Sequence, residues 1–452
     1  MQFIETIKNI WKIEELKNRI ILTLGLLLVY RFGAQVVLPG INVDALGGLQ
    51  DSAGGGLLGL LNAFTGGAFA NASVFALGIM PYISASIVVQ LMTIAIPYLQ
   101  KLQKEGESGN KKITQITRWL TILICLFQAP GYLAGMPALS GAASMGNLLI
   151  PGVDVNTFYV TSVIILVSGC IFAMWLGERI TDKGVGNGIS LLIMVGIIAV
   201  LPQSFFQNLV SRMSEDGNGG LILILIELVI WFVIILASVY LVKAVRQIPV
   251  QYARKNASGK YEKNIFGGAR QFIPLKLNAS GVMLIIFAQA IMFAPSYLAS
   301  LSDSTTGQSL AAEFGNIFGL WYNVVFGILI IIFTYFYTAI TVPTNKMADD
   351  LKRSGGFIPG IRPGTETSEY LDKIMSQITL PGSIFLALLA IFPAIIVSLL
   401  GVQSGWALFF GGTSLLIMVG VSIDTIDQVN VYLLNRHYDG LMKSGKNRKA
   451  VA

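Results

Sequence analysis

The sequence predicts an all-α integral membrane protein: ten transmembrane helices in two inverted five-helix halves, with a re-entrant half-helix after the first span. Three observations carry this reading. Apolar runs occupy residues 20–38, 73–98, 116–135, 157–178, 188–207, 220–244, 274–298, 319–342, 376–399 and 407–434. Each is near the ~20 residues of helix that cross ~30 Å of hydrocarbon. Of the 31 Lys and Arg residues, 29 fall in stretches, at the ends of these runs or outside them, that should share one side of the membrane. Finally, residues 53–71 hold an apolar stretch with glycine clusters at Gly54-Gly55-Gly56 and Gly66-Gly67 that is too short to be a further span.

Composition supports the class. The chain is 54% hydrophobic and only 12% charged, whereas soluble domains carry about 25% charged residues. Lys and Arg resist transfer across the bilayer during insertion, so they mark cytoplasmic loops. Their alternation places both termini in the cytoplasm and accounts for the net charge of +7 without a nucleic-acid function. Arg31 and Arg212 alone break the pattern. Residues 2–17 read as an amphipathic surface segment rather than a cleavable signal, with Phe3, Ile7, Ile10, Trp11 and either Ile13 or Leu16 on one face.

Along the chain, 1–19 is the cytoplasmic N-terminal segment, 20–207 the first five-helix half and 220–434 the second, followed by a basic tail, 435–452. Five is odd, so the second half starts on the opposite side of the membrane. That permits an inverted repeat with a functional site between the halves. A helix over 57–70 reaches only ~22 Å, so it folds back into the protein, either lining a cavity or packing peripherally. Two basic cytoplasmic loops, 245–273 and 344–375, are longer than connection requires. In the second, Pro359-Gly360 and Pro363-Gly364 present Arg362 at a turn.

Chemistry is sparse. With His437 the only histidine, neither a histidine metal site nor a catalytic triad is expected, and no cofactor or catalytic residue is identified. Cys125 and Cys170 read as small buried hydrophobes. The GxxxxGK match at Gly440–Lys446 continues with Asn447 and lacks a preceding strand, so it does not cradle phosphate. Glu227 lies mid-span, and Asp424 and Asp427 near the end of the last span. Intramembrane charge marks either function or a buried partner, which leaves a secondary transporter of a small solute open as the alternative class. In the second run, Pro81 is expected to permit a bend. Ile83 and Ile87 share one helix face, as do Ile189 and Ile193.

Five ordered blocks resemble the SecY family, whose members form the large subunit of the bacterial protein-conducting channel. They are Phe75-Ala-Leu-Gly-Ile-Met-Pro-Tyr-Ile-Ser-Ala-Ser86, Gly177-Glu-Arg-Ile-Thr-Asp-Lys-Gly-Val-Gly-Asn-Gly-Ile-Ser190, Pro274-Leu-Lys-Leu-Asn278, the stretch from Ala348 to Gly364, and Gly412-Thr-Ser-Leu-Leu-Ile417.

The resemblance implies an hourglass channel that passes unfolded preproteins across the membrane and releases transmembrane segments sideways into lipid. It implies a plug at 57–70 (Leu57, Leu58, Leu60, Leu61, Phe64) and a pore ring of Ile83, Ile87, Ile189, Ile193, Ile286 and Ile417, with Ile285 the alternative to Ile286. It implies a lateral gate between spans two and three and spans seven and eight, with Gln90, Gln128 and Gln289 as polar contacts. Implied partners are SecE-like and SecG-like small subunits, a SecA-like ATPase motor, the ribosome, signal sequences, nascent chains and membrane lipid. Arg254, Lys255 and Arg362 would contact motor and ribosome. The implied location is the bacterial inner membrane. The physics agrees with the ring, because a constriction that must pass every side chain is best sealed by stiff aliphatics that dewet. Two departures are the absence of a family proline in Val282-Met-Leu-Ile-Ile286 and a longer external loop at 299–318.

Overall fold

A computed structural model of the chain describes Trp11, Ala142 and residues 13–52, 56–140, 144–214, 220–252, 270–277, 285–292 and 313–448. The first expected span is α1 (Glu14–Gly33) and the re-entrant segment is α2 (Gly56–Thr65). There follow α3 (Met80–Ala95), α4 (Pro97–Lys104), α5 (Glu107–Ser140), α6 (Val155–Lys183), α7 (Gly188–Ser214) and α8 (Gly220–Lys243). The second half continues through β1 (Val245–Tyr252), β2 (Arg270–Lys276), α9 (285–292) and α10 (Leu320–Thr341). It ends with α11 (Thr344–Arg353), β3 (Gly356–Phe357), α12 (Thr365–Leu400) and α13 (Gly412–Arg448).

The protein is an all-α integral membrane protein. Among the described residues seven helices are long and apolar enough to cross a membrane, or eight if the bent pair α3–α4 counts as one span. Those outside this set are α1, which carries five charged residues, and the seventh apolar run, of which only 285–292 is described as helix.

Three boundaries differ from expectation for local reasons, the first being the re-entrant helix, which ends at Thr65 and not at residue 70 because Gly66 and Gly67 turn the chain at φ +69° and +89°. The second run is not helical from residue 73, because residues 66–79 are turns and helix begins at Met80. Pro81 therefore starts α3 instead of bending it, which suits a residue with no N–H to leave unpaired. The bend falls later, where Pro97 pushes Ile96 out of helical geometry (φ −102°, ψ 114°) and α3 and α4 diverge by 97°. The seventh run also starts late, since Pro274, Leu275 and Lys276 belong to β2.

The two long basic segments meet in a small sheet of order β2-β1-β3, a feature the sequence reading missed. β1 pairs antiparallel with β2 from Val245↔Lys276 to Gln251↔Arg270, and with β3 through Gln251↔Phe357. Ile248 and Val250 alternate onto one face and share a separate small core with Leu275, Leu351, Ile358 and Leu371. Contacts between distant segments gather the basic ends of the helices. Arg19 Nη1 donates to the Gly184 carbonyl at 3.5 Å, Arg118 forks onto Glu178, and Gly186 N donates to Gln428 Oε1 at 2.9 Å.

At the opposite end, Glu227 has a structural partner. Arg212 Nη2 donates to Glu227 Oε1 at 3.1 Å and to the Leu400 carbonyl at 2.6 Å, while Asn208 Nδ2 donates to Glu227 Oε2 at 2.8 Å. Both charges are buried, with side chains 9% and 2% exposed. Removing one partner of such a pair leaves an uncompensated charge and costs about 3–5 kcal/mol, whereas an apolar replacement of both is tolerated. Arg212→Met should lower stability by about that amount in denaturant titration of the detergent-solubilised protein, and Arg212→Met with Glu227→Leu should recover most of it. Parent-like stability of the single variant, or no recovery in the double, would contradict the pairing.

Candidate functional site

A cavity of about 620 Å³ opens among α3, α5, α6, α7, α9 and α13. Its apolar lining includes Ile83, Ile189, Ile193, Ile286 and Ile417 together with Val242 and Val421, and its polar lining includes Arg118, Glu178, Asp182, Lys276 and Asp424. Helical periodicity explains the convergence. Ile189 and Ile193 are four residues apart on α7, and the other three helices each present one isoleucine. Ile87, one turn beyond Ile83, is buried in the same apolar cluster without lining the cavity. Of the neighbours Ile285 and Ile286, only Ile286 lines it.

Apart from Lys276, the last residue of β2, these polar residues belong to helices. Arg118 Nε and Nη2 donate to Glu178 Oε1 and Oε2 at 2.9 and 2.7 Å, a two-pronged pair between α5 and α6. The cavity thus has a charged mouth and an aliphatic floor.

The re-entrant helix α2 packs on that floor. Leu60 and Phe64, one turn apart, join the apolar cluster that holds Ile83, Ile87, Ile193, Ile286 and Ile417. Leu58 and Leu61 face a second cluster built on Leu38, Phe69, Leu133 and Phe158. A helix buried on both sides needs apolar residues on both faces, and the polar Asn62 and Thr65 near its end are satisfied by backbone groups of the same segment. The backbone of Leu57 is helical, and its side chain lies outside the described residues.

Gly196 on α7 fixes how close α2 can come. A Cβ there would lie 2.8 Å from the Phe64 carbonyl oxygen and 3.1 Å from Gly66 N. Gly66 and Gly67 end α2 with φ of +69° and +89°, which favour glycine. The Gly66 carbonyl accepts a hydrogen bond from Arg31 Nη1.

The three glutamines expected as polar contacts of a lateral gate have different surroundings. Gln90 Oε1 accepts from Tyr337 Oη at 3.1 Å, a hydrogen bond joining α3 to α10. Gln289 Nε2 donates to Tyr322 Oη at 3.0 Å inside the second half, and Gln128 is exposed on α5. Tyr337 and Gly196 were not singled out from sequence, because a tyrosine or glycine in an apolar run carries no sign of its partner. Arg362 is exposed (side chain 87%), 3.8 Å from Glu366 and flanked by Gly360 and Gly364 at φ +85° and +119°. Arg254 and Lys255 lie outside the described residues.

A family model described as SecY matches residues 73–426. The chain belongs to the SecY family. It is 38% identical over 455 residues to the protein translocase subunit SecY of Thermotoga maritima, covering 98% of this chain and 99% of that one. Two solved structures share the fold, each covering 91% of both chains at 18% identity. One is Sec61 in the canine ribosome–channel complex from the endoplasmic reticulum, with a TM-score of 0.56. The other is a SecY protein whose plug domain stabilises the closed state of the translocation channel and maintains a membrane seal, with a TM-score of 0.55. As a SecY-family member, the chain is a multi-pass membrane protein and the channel subunit of a protein translocase.

The Gly196 contact makes a direct prediction. Added volume in a packed site costs about 1–3 kcal/mol, and here it displaces the end of α2. Gly196→Val should raise the frequency of ion-conducting events in planar bilayers roughly tenfold, with Gly196→Ala intermediate. If both variants are as tight as the parent, α2 does not seal against α7.

Proposed function

We propose that the cavity is the cytoplasmic funnel of a polypeptide-conducting pore, that the isoleucines at its floor form the constriction and that α2 plugs it from the other side. The carrying observation is the floor itself: five isoleucines on four helices, with Leu60 and Phe64 of a re-entrant helix in the same apolar cluster. An extended chain presents every side-chain chemistry in turn, so a constriction with specific hydrogen bonds would hold some residues and reject others. Aliphatic side chains close around the chain by van der Waals contact and exclude ions by dewetting. Ile87, buried in the same cluster, completes the ring as the cavity widens.

Sideways release into lipid proceeds by parting α3 from α10, where the Gln90–Tyr337 hydrogen bond links the two halves; Gln128 and Gln289 act on the same route, from α5 and α9. The protein resides in a bacterial inner membrane with both termini and the sheet β2-β1-β3 in the cytoplasm. No covalent chemistry is assigned to it. Energy comes from a SecA-like ATPase motor or a translating ribosome, docked on the two basic loops through Arg362, Arg254 and Lys255. SecE-like and SecG-like small subunits clamp the lipid-facing surface. A coupled small-solute transporter is disfavoured because Glu227 is neutralised by Arg212 and does not line the cavity.

Two experiments test this reading. Ile417→Asn and Ile286→Asn place an amide in the constriction and lower the free energy of wetting it. Both should raise closed-channel ion conductance and allow export of substrates with defective signal sequences; tight, stringent variants would place the constriction elsewhere. For the loop, an exposed charge substitution alters stability by only about ±0.5 kcal/mol. Arg362→Glu should therefore leave abundance and small-subunit association intact while abolishing motor-driven export in inverted vesicles. Normal export by this variant would remove Arg362 from the contact, and loss of protein would make the residue structural.

A further inference from the structure

One charge within the first span, Arg31, has no part in this pore so far. Arg31 lies on α1 within the first apolar run, where a guanidinium requires strong acceptors. Its Nη1 donates to the carbonyl of Gly66, the residue that follows the last helical residue of α2, Thr65. The end of a helix bears carbonyls without intrahelical partners and a partial negative charge. A guanidinium placed there satisfies an orphan acceptor and opposes the dipole at once. The fit is close, since a Cβ on Gly66 would lie 3.1 Å from Arg31 Nη1 and 2.8 Å from Gly196 Cα. No ion pair to a carboxylate is formed by Arg31 among the described residues, so its principal polar contact is with α2.

We propose that Arg31 is the latch of the plug: its hydrogen bond to the Gly66 carbonyl holds the C-terminal end of α2 against α7, and the pore opens only when that bond is released. This rests on the reading of α2 as a plug, given above. Arg31 is a positioning residue that acts through α2 and need not touch the translocating chain. The planar guanidinium offers several donors in fixed directions, which a lysine ammonium does not reproduce. A charge-assisted hydrogen bond of this kind biases an opening equilibrium by roughly ten- to a hundredfold.

The test uses the full chain with its small subunits in planar bilayers, recording the frequency of ion-conducting events. Arg31→Gln should raise that frequency roughly ten- to a hundredfold, and Arg31→Lys should raise it by less. In a channel from which residues 57–65 are deleted, Arg31→Gln should add nothing, because the latch has nothing left to hold. Parent-like conductance of Arg31→Gln overturns the latch. So does an equal increment in the deleted channel, which would make Arg31 a support for the rest of the fold. A deleted channel as tight as the parent overturns the plug reading itself. If Arg31→Gln fails to accumulate, Arg31→Lys carries the test: a raised frequency that vanishes in the deleted channel sustains the latch, and parent-like behaviour overturns it.

Discussion

Every backbone N–H and C=O at membrane depth must find a partner inside the protein, because lipid offers none. A half-helix followed by turns is tolerable there only if its loop is fully answered by neighbouring segments. Residues 66–79 meet that demand. Leu38 N donates to the Ala72 carbonyl and Val74 N to the Val36 carbonyl, both at 2.9 Å, which stitches the loop to the end of the first span. Ala70 N reaches Asn62 Oδ1 at 3.0 Å, and Tyr132 Oη caps the Phe69 carbonyl at 2.8 Å. These bonds hold α2 where Leu60 and Phe64 meet the isoleucine cluster. Without them the plug would have no stable seat, and the cavity floor would have nothing packed on its far side.

The two arginines outside the basic pattern solve one problem in the same way. Arg31 donates to the carbonyl of Gly66 and Arg212 to that of Leu400, so each guanidinium sits at a helix C-terminus that ends in a left-handed glycine, Gly66 or Gly401. Both exploit orphan carbonyls and the negative end of the macrodipole. The difference lies in the counter-charge. Arg212 is also paired with buried Glu227, so breaking its site strands a carboxylate. Arg31 holds α2 through a carbonyl that can move away with its helix. One site is suited to permanence and the other to release.

What was legible in the sequence follows the range of each signal. Apolar runs, the alternation of Lys and Arg, and the glycine-flanked short segment are local patterns, and the membrane class, most span positions and the re-entrant helix could be read from them. Arg31 and Arg212 announced themselves as anomalies, but their partners lie 35 and 15 or more residues away and no local rule names them. The sheet was missed because β1 pairs with residues across a long loop and with Gly356 and Phe357 far along the chain. Pro81 was misjudged because a proline inside an apolar run reads alike whether it begins a helix or kinks one. The site residues that depend on a partner across the molecule, Gln90 with Tyr337 above all, needed coordinates.

The closure of such a pore has to be firm without being final. Burial of an apolar side chain contributes about 1.5–3 kcal/mol, so Leu60 and Phe64 together hold α2 by about 3–6 kcal/mol when the alternative is water. In the proposed pore, a translocating segment would offer its own apolar surface to the same isoleucines and recover part of this energy as it displaces the plug, so the ring would change partners instead of losing one. Stiff β-branched side chains suit that exchange, because they seal against either partner without choosing between sequences. A hydrogen-bonded constriction would have bound its plug more specifically and its substrates less evenly. In the pore proposed for this chain the specific hydrogen bond lies behind the plug, at Gly66, and the surface that would meet the substrate is left aliphatic.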